Sequence, residues 1–240
     1  MSFSKYKNEI EENGFAVIPE VFTKAEINTI ASYIDEADTN NDTFRKSAGL
    51  FAIRQFLREV PKTQQKIFNS RFQNIVETLF GEGYFSIKSI YFDKPEKSNW
   101  FVALHQDLSI SVDKKVELDG FSSWTIKQKQ FAVQPPLPIL ENIYTIRIHL
   151  DDTDENNGAL KVIPKSHSKG IYRPETIDWE TEKVTTCNVN AGGVMIMKPL
   201  LLHSSERTTN NKKRRVIHIE LANKQLPPEI EWAEKLSLKN

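Results

Sequence analysis

From Tyr84 to Leu221 the chain falls into short β segments set apart by Gly, Pro, Asn and Asp clusters, and this rhythm limits the possible folds more than any other feature. The candidate strands are Tyr84–Tyr91, Phe101–His105, Tyr144–Leu150, Ala159–Ile163, Val184–Val189, Val194–Met197, Leu200–Ser204 and Arg214–Leu221. Many short strands with turn residues between them predict an antiparallel sandwich or barrel. Asp151–Gly158 is a polar turn between two of them. Eight such strands suffice for a jelly roll with helices packed outside, a mainly β fold with flanking helices.

The residues before Tyr84 read mostly as helix. Phe3–Glu12 is a short amphipathic stretch, and Asn13-Gly14 suits its C-terminus. Phe15–Ile18 is a brief apolar strand closed by Pro19. Thr23-Lys24-Ala25-Glu26 has capping-box spacing, followed by Ile27, Ile30 and Ile34 on one helical face. Pro61 opens another helix, whose apolar residues from Ile67 to Phe80 recur at helical spacing until Gly81. Leu50–Arg54 falls inside this helical part.

One stretch does not fit the strand pattern. Residues 108–142 hold Trp124, a Lys/Gln run and Pro135-Pro136-Leu137-Pro138. A long excursion of this kind is usually a lid or binding loop, and its Phe121, Trp124, Ile126, Phe131 and Val133 argue for order. The expectation is a lid-like insertion covering the substrate. The chain then reads as one domain over 1–240, with a helical part over about 1–83 and a β core over about 84–222.

Lys+Arg and Asp+Glu both total 32, so the formal net charge is zero, which argues against a general nucleic-acid binder. Cys187 is the single cysteine, so neither an intrachain disulfide nor a Cys-rich zinc site can form. A reducing, cytoplasmic setting is expected. The first residues lack the apolar core of a signal peptide, and no apolar run approaches the roughly eighteen residues of a membrane span.

The chemistry is concentrated in His105-Gln106-Asp107, His203 and Arg214. Two imidazoles and one carboxylate on one face of a metal make the facial triad of non-haem Fe(II) oxygenases, with three positions left open. A second His-x-Asp, His149-Leu150-Asp151, fits the same spacing. On a strand, residues i and i+2 of either motif share a face, so spacing does not choose between them.

Longer segments carry a resemblance. Asp93-Lys94-Pro95 leads through Asn99-Trp100 to Leu104-His105-Gln106-Asp107, and Leu150–His167 forms a hairpin sequence around Asn156-Asn157-Gly158-Ala159-Leu160. Gly193–Ser205 includes His203, and Arg214-Arg215-Val216-Ile217-His218 follows it. In these segments the chain resembles the phytanoyl-CoA dioxygenase family of Fe(II)/2-oxoglutarate-dependent oxygenases, from Asn13 to about Ala222. The resemblance implies a double-stranded β-helix, the cupin-like jelly roll, with Fe(II), 2-oxoglutarate and O₂ as cofactor and co-substrates. It implies His105, Asp107 and His203 as metal ligands and Asp151-Asp152 as the rim of a hairpin. Halogenating relatives carry a small residue where Asp107 stands, so its presence favours hydroxylation.

Arg214 and Arg215 compete for the far carboxylate of 2-oxoglutarate, and strand alternation lets only one face the pocket. The eleven-residue offset from His203 resembles the family's anchor and selects Arg214, with Ser205 beside it. Thr145, Arg147 and His149 share a strand face; if it lines the barrel, Arg147 must meet an anion, whether co-substrate, substrate or a neighbouring acid. Thr145 and Arg147 are accordingly expected near the co-substrate. Trp124, Gln134, Trp100 and Arg54 are the candidates for substrate contact. The predicted reaction is hydroxylation of a C–H bond in a small molecule, coupled to decarboxylation of 2-oxoglutarate to succinate. A non-catalytic jelly-roll binding protein and a metal-dependent hydrolase are the rivals, and the latter leaves Arg214 without a role.

Overall fold

A computed structural model describes residues 3–38, 41–47, 50–96, 100–127 and 130–239. The N-terminal part contains α1 (Ser4–Asn13), β1 (Phe15–Ile18), α2 (Lys24–Asp35), β2 (Phe44–Ser47), β3 (Leu50–Arg54), α3 (Phe56–Glu59), α4 (Lys62–Ile67) and α5 (Ser70–Phe80). The Thr23 capping box closes as the sequence predicts: Thr23 Oγ1 accepts from the Glu26 amide at 3.2 Å, and Glu26 Oε2 accepts from the Thr23 amide at 2.7 Å. The run expected as one helix from Pro61 to Gly81 is divided. Asn69 takes extended backbone and its Oδ1 accepts from the Phe72 amide, which starts α5 afresh.

The remaining elements are β4 (Phe85–Lys94), β5 (Val102–His105), β6 (Ile110–Val112), β7 (Ser122–Lys127), β8 (Gln130–Gln134), α6 (Leu137–Glu141), β9 (Tyr144–His149), β10 (Leu160–Val162), β11 (Thr185–Cys187), β12 (Val194–Met197), β13 (His203–Ser205), β14 (Arg214–Ala222) and β15 (Leu236–Ser237). Two sheets form the core. The major one runs β1-β12-β9-β14-β4-β3-β2, with β15 also on β4; the minor one runs β11-β10-β13-β5. All the pairings are antiparallel. Each of the eight strands expected from the sequence lies in one of these sheets, four in each, as a jelly roll requires.

The major sheet has two unlike faces, fixed by the period-2 alternation of its strands. Outward, Ile146, Ile148, Ile196, Ile217, Ile219 and Leu221 are buried against the helices, together with Ile30, Ile67, Phe72 and Ile75. Each such side chain stabilises the fold by roughly 1.5–3 kcal/mol. Inward, β14 presents Arg214, Val216, His218 and Glu220 to the minor sheet.

One expectation fails. Leu50–Arg54 is a strand, not helix: Phe51, Ala52, Ile53 and Arg54 pair with Asp93, Phe92, Tyr91 and Ile90 of β4. A run of four apolar residues ended by an arginine carries no helical period, and the open edge of β4 decides its state. The 108–142 stretch is ordered, as its apolar residues predict. It folds as a three-stranded sheet, β6-β8-β7, followed by α6. Ile110, Val112 and Val133 pack with Phe85, Ile87, Ile230 and Trp232 in a core of their own. The C-terminal segment clamps it through a Val112–Trp232 bridge. No helix among the described residues is long and apolar enough to cross a membrane.

Candidate active site

Pairing of β5 with β13 sets His105 directly opposite His203, with ring centroids 4.3 Å apart. Each Nδ1 lies 2.8 Å from the carbonyl two residues upstream, Ala103 O for His105 and Leu201 O for His203. A carbonyl can only accept, so Nδ1 holds the proton and Nε2 offers a lone pair. Asp107 Oδ1 lies 3.7 Å from His105 Nε2, and its Oδ2 lies 3.7 Å from His203 Nε2. Those gaps are too long for hydrogen bonds. They leave room for a cation, and the three ligand atoms lie within 4.8 Å of one another. The donor set therefore fits a two-His, one-carboxylate metal site.

The backbone on both sides is held firmly. Asp107 N donates to Pro199 O at 2.9 Å. Gln106, pointing away, donates from Nε2 to Gly170 O and Leu200 O and accepts from the Tyr172 amide. Burial pushes His203 down to about 4, so it is neutral and ligand-ready at neutral pH. Burial alone would raise the Asp107 carboxyl, but His203, His218, Lys88 and His105 together hold it well below the usual carboxylate range. The decoy is placed elsewhere: His149 Nδ1 meets Thr153 Oγ1 at 2.9 Å, while Asp151 is taken by Arg215.

Beyond the triad lies a cationic end. Gly158 has φ of 85°, and a Cβ there would stand 2.6 Å from Lys94 Nζ and 2.9 Å from Glu206 O, so this turn requires glycine. Its carbonyl accepts from both Arg214 Nη1 and Ser205 Oγ. Lys94 is fully buried and donates to Glu206 O. Arg214 is 2% exposed, and its Nε is buried without a partner. Burial and the Arg147 charge depress it to about 9. Arg215, on the other face, makes a two-point bond to Asp151 at 2.9 and 2.8 Å. Strand parity thus gives the two adjacent arginines opposite surroundings.

A cavity of about 330 Å³ joins these parts. Its wall includes His105, Asp107, His203, Ser205, Arg214 and Arg147, and also the sequence candidates Arg54 and Trp100. Three other candidates are not brought to it. Trp124 packs against the core of the β6-β8-β7 sheet, and Gln134 at the end of β8 pairs with Ser122 of β7. Thr145 does face inward but sits further along β9, between Met197 and Glu220, with its buried hydroxyl unpartnered. Asn99, part of the approach to His105, lies outside the described residues.

Sequence reasoning missed Lys88, Ile90, Phe92 and His218 on the cavity wall. Lys88 Nζ lies 2.7 Å from Glu220, whose Oε1 is 3.2 Å from His218 Nε2; His218 Nδ1 is 3.1 Å from Arg147 Nη1. Asp107, His218 and Glu220 also come close enough to hold a cation. Lys88 and Arg147 already bond this His–Glu pair, so His105, Asp107 and His203 make the better metal site. Alternation along β4 and β14 was the available signal, once Arg214 was known to face inward.

The phytanoyl-CoA dioxygenase (PhyH) family model matches residues 10–216. No curated protein matches the sequence. Several solved structures share the fold. EctD from S. alaskensis, in its apoform, superposes with a TM-score of 0.71 at 15% identity, covering 93% of this chain and 79% of that one. The non-haem α-ketoglutarate-dependent carbocyclase SnoK, from nogalamycin biosynthesis, gives 0.66 at 15%, covering 91% and 83%. HygX from Streptomyces hygroscopicus, with nickel, 2-oxoglutarate and hygromycin B bound, gives 0.64 at 16%, covering 91% and 86%. The cofactor set expected from the sequence, Fe(II) with 2-oxoglutarate and O₂, is the one this family uses. With a matched family model over most of its length and the family's jelly roll, this chain belongs to the phytanoyl-CoA dioxygenase family of Fe(II)/2-oxoglutarate-dependent oxygenases.

Proposed function

We propose that the protein hydroxylates a C–H bond of a small molecule while 2-oxoglutarate is converted to succinate and CO₂. The observation that carries this reading is the convergence of His105 Nε2, His203 Nε2 and Asp107 beside a buried arginine with an unpartnered N–H. The bound Fe(II), 2-oxoglutarate and O₂ supply the oxidising power for the C–H bond. The chain's residues hold and shield these groups. His105, Asp107 and His203 would hold the metal on one side, fixed by the Nδ1–carbonyl bonds. Arg214 would take the C5 carboxylate through its guanidinium, assisted by Ser205 Oγ, since a planar fork matches a carboxylate better than a lysine does. A carboxylate at position 107 favours hydroxylation over halide transfer. Among solved structures of this fold are a carbocyclase and an epimerase, so the fold by itself does not fix the reaction outcome.

The test is anaerobic addition of Fe(II) and then 2-oxoglutarate, followed by the weak visible charge-transfer band of the chelate. The band should form in the wild type and vanish in His203→Ala. Succinate release should require Fe(II), O₂ and the keto acid together. Iron binding with no band would return the protein to the binding-protein or hydrolase reading, and no iron binding would sink the triad.

A further inference from the structure

Arg147 is the buried charge that the proposed reaction leaves unused. It faces the cavity from β9, is 6% exposed, and its Nε has no hydrogen-bond partner. Among the described residues its side-chain hydrogen bond is to His218 Nδ1 at 3.1 Å, where the imidazole accepts. The other nitrogen of His218 then donates to Glu220, and the charge of Glu220 is matched by Lys88 at 2.7 Å. No carboxylate among the described residues forms an ion pair with Arg147. The Asp107 charge acts on Arg147 without forming an ion pair with it, and that carboxylate is assigned to the metal; a buried guanidinium left with so little compensation costs several kcal/mol, which an incoming anion would offset.

The charges around the cavity show which anion is missing. Apart from Arg54, which has an interaction of its own, its wall carries Lys88, Arg147 and Arg214 against Asp107, and Glu220 lies behind, on Lys88. Fe(II) and the 2-oxoglutarate dianion cancel each other, and that dianion is assigned to Arg214. The filled site would still be cationic around Arg147. Ile90, Phe92 and Trp100 line the same cavity and offer an apolar wall for a carbon skeleton.

We infer that the substrate is a small molecule bearing an oxyanion group, carboxylate or phosphate, and that Arg147 binds that group so that the adjoining carbons lie near the metal. This rests on the Fe(II)/2-oxoglutarate reading above. A cavity of about 330 Å³ shared with the co-substrate holds only a short reacting portion, being at the lower end of ligand sites, roughly 300–1,000 Å³.

Three probes of matched chain length separate the possibilities: hexanoate, hexyl phosphate and the neutral hexanamide. Each is titrated calorimetrically, under argon, into protein holding Fe(II) and excess 2-oxoglutarate, and into metal-free protein with the same 2-oxoglutarate. One or both anions should bind at least about tenfold more tightly than hexanamide, and the stronger one identifies the headgroup. Arg147→Gln should weaken that anion by about 10- to 100-fold, the size of a lost charge-assisted hydrogen bond. Its 2-oxoglutarate band should persist. Arg147→Lys should recover part of the anion binding, and it carries the test should Arg147→Gln fail to fold. Hexanamide binding as well as hexanoate and hexyl phosphate would overturn the inference. So would unchanged anion binding in Arg147→Gln with loss of the 2-oxoglutarate band, which would give Arg147 to the co-substrate. Anion selectivity dependent on Arg147, in a wild type that forms no band, would uphold the anion site and defeat the iron reading instead.

Discussion

The two faces of β14 share one backbone and differ in almost everything else. Outward, Ile217, Ile219 and Leu221 are fully buried in the helix-packed core, and Arg215 at the end is neutralised by Asp151. Inward, Arg214, His218 and Glu220 are buried too, and among the described residues Arg214 has no acid partner. The first face lowers the free energy of the fold; the second raises it and stores an affinity for anions. A jelly roll can carry this inner face because the outer one supplies the packing. The contrast predicts that mutations one residue apart will separate stability from binding.

The largest effect is expected on the outer face. Ile217→Ala removes a side chain with no solvent exposure and should cost about 2–5 kcal/mol, as cavity-forming substitutions do. Urea unfolding measures this, and the affinity of the folded fraction for 2-oxoglutarate should not change. A large loss of co-substrate affinity in folded Ile217→Ala would mean that the two faces are not independent.

Next in size is the paired test at Arg214 and Arg215. Arg214→Met should raise the 2-oxoglutarate KM by about 10- to 100-fold, from loss of charge-assisted hydrogen bonds. Its Tm should hold or rise, because an unpaired buried charge is replaced by an apolar side chain of similar length. Arg215→Met should do the reverse. It leaves the KM alone and lowers stability by about 1 kcal/mol, the scale of a partly exposed ion pair. Equal KM changes in the two variants would break the comparison.

This difference between faces also explains what could be read from the chain. Strand positions and the parity of Arg214 and Arg215 were legible because alternation and turn residues are local properties. The strand Leu50–Arg54 was not, since only the distant edge of β4 settles a short apolar run. The order of residues 108–142 was legible in their apolar residues, but their three-stranded form was not, because it packs on Ile230 and Trp232, about a hundred positions away. In the site, the candidate metal trio came from the family resemblance, since spacing alone left two His-x-Asp motifs. Lys88, His218 and Glu220 stayed hidden because a charged residue alternating on a strand reads as solvent-facing. Only the second sheet makes that face an interior. Trp124 was misplaced for the converse reason: an aromatic in a presumed lid turned out to have a core of its own.

The prediction confined to one pH range concerns Glu234, the acid that breaks the rule for the outer face. It is 1% exposed, and its Oε2 accepts from Ser89 Oγ at 2.6 Å, while Ser89 Oγ accepts from the Leu57 amide at 2.9 Å. Ser89 belongs to the helix-facing side of β4, since its cross-strand partner is Ile219. Burial pushes Glu234 up to about 7 from its ordinary 4.5, against the opposing effects of Ser89, Arg58 and Lys88. A carboxyl raised in the folded state holds more protons there than in the unfolded chain. Its contribution to stability is therefore whole below about 4.5 and is lost as pH rises through about 7. Glu234→Gln should flatten this part of the stability–pH curve and raise Tm above neutrality by a few degrees, about 2–4 °C for each 1 kcal/mol in a chain of this size. The readout is thermal unfolding across that pH range in both proteins. An unaltered slope in Glu234→Gln would mean that Glu234 ionises without cost, and that this face tolerates charge as readily as the inner one.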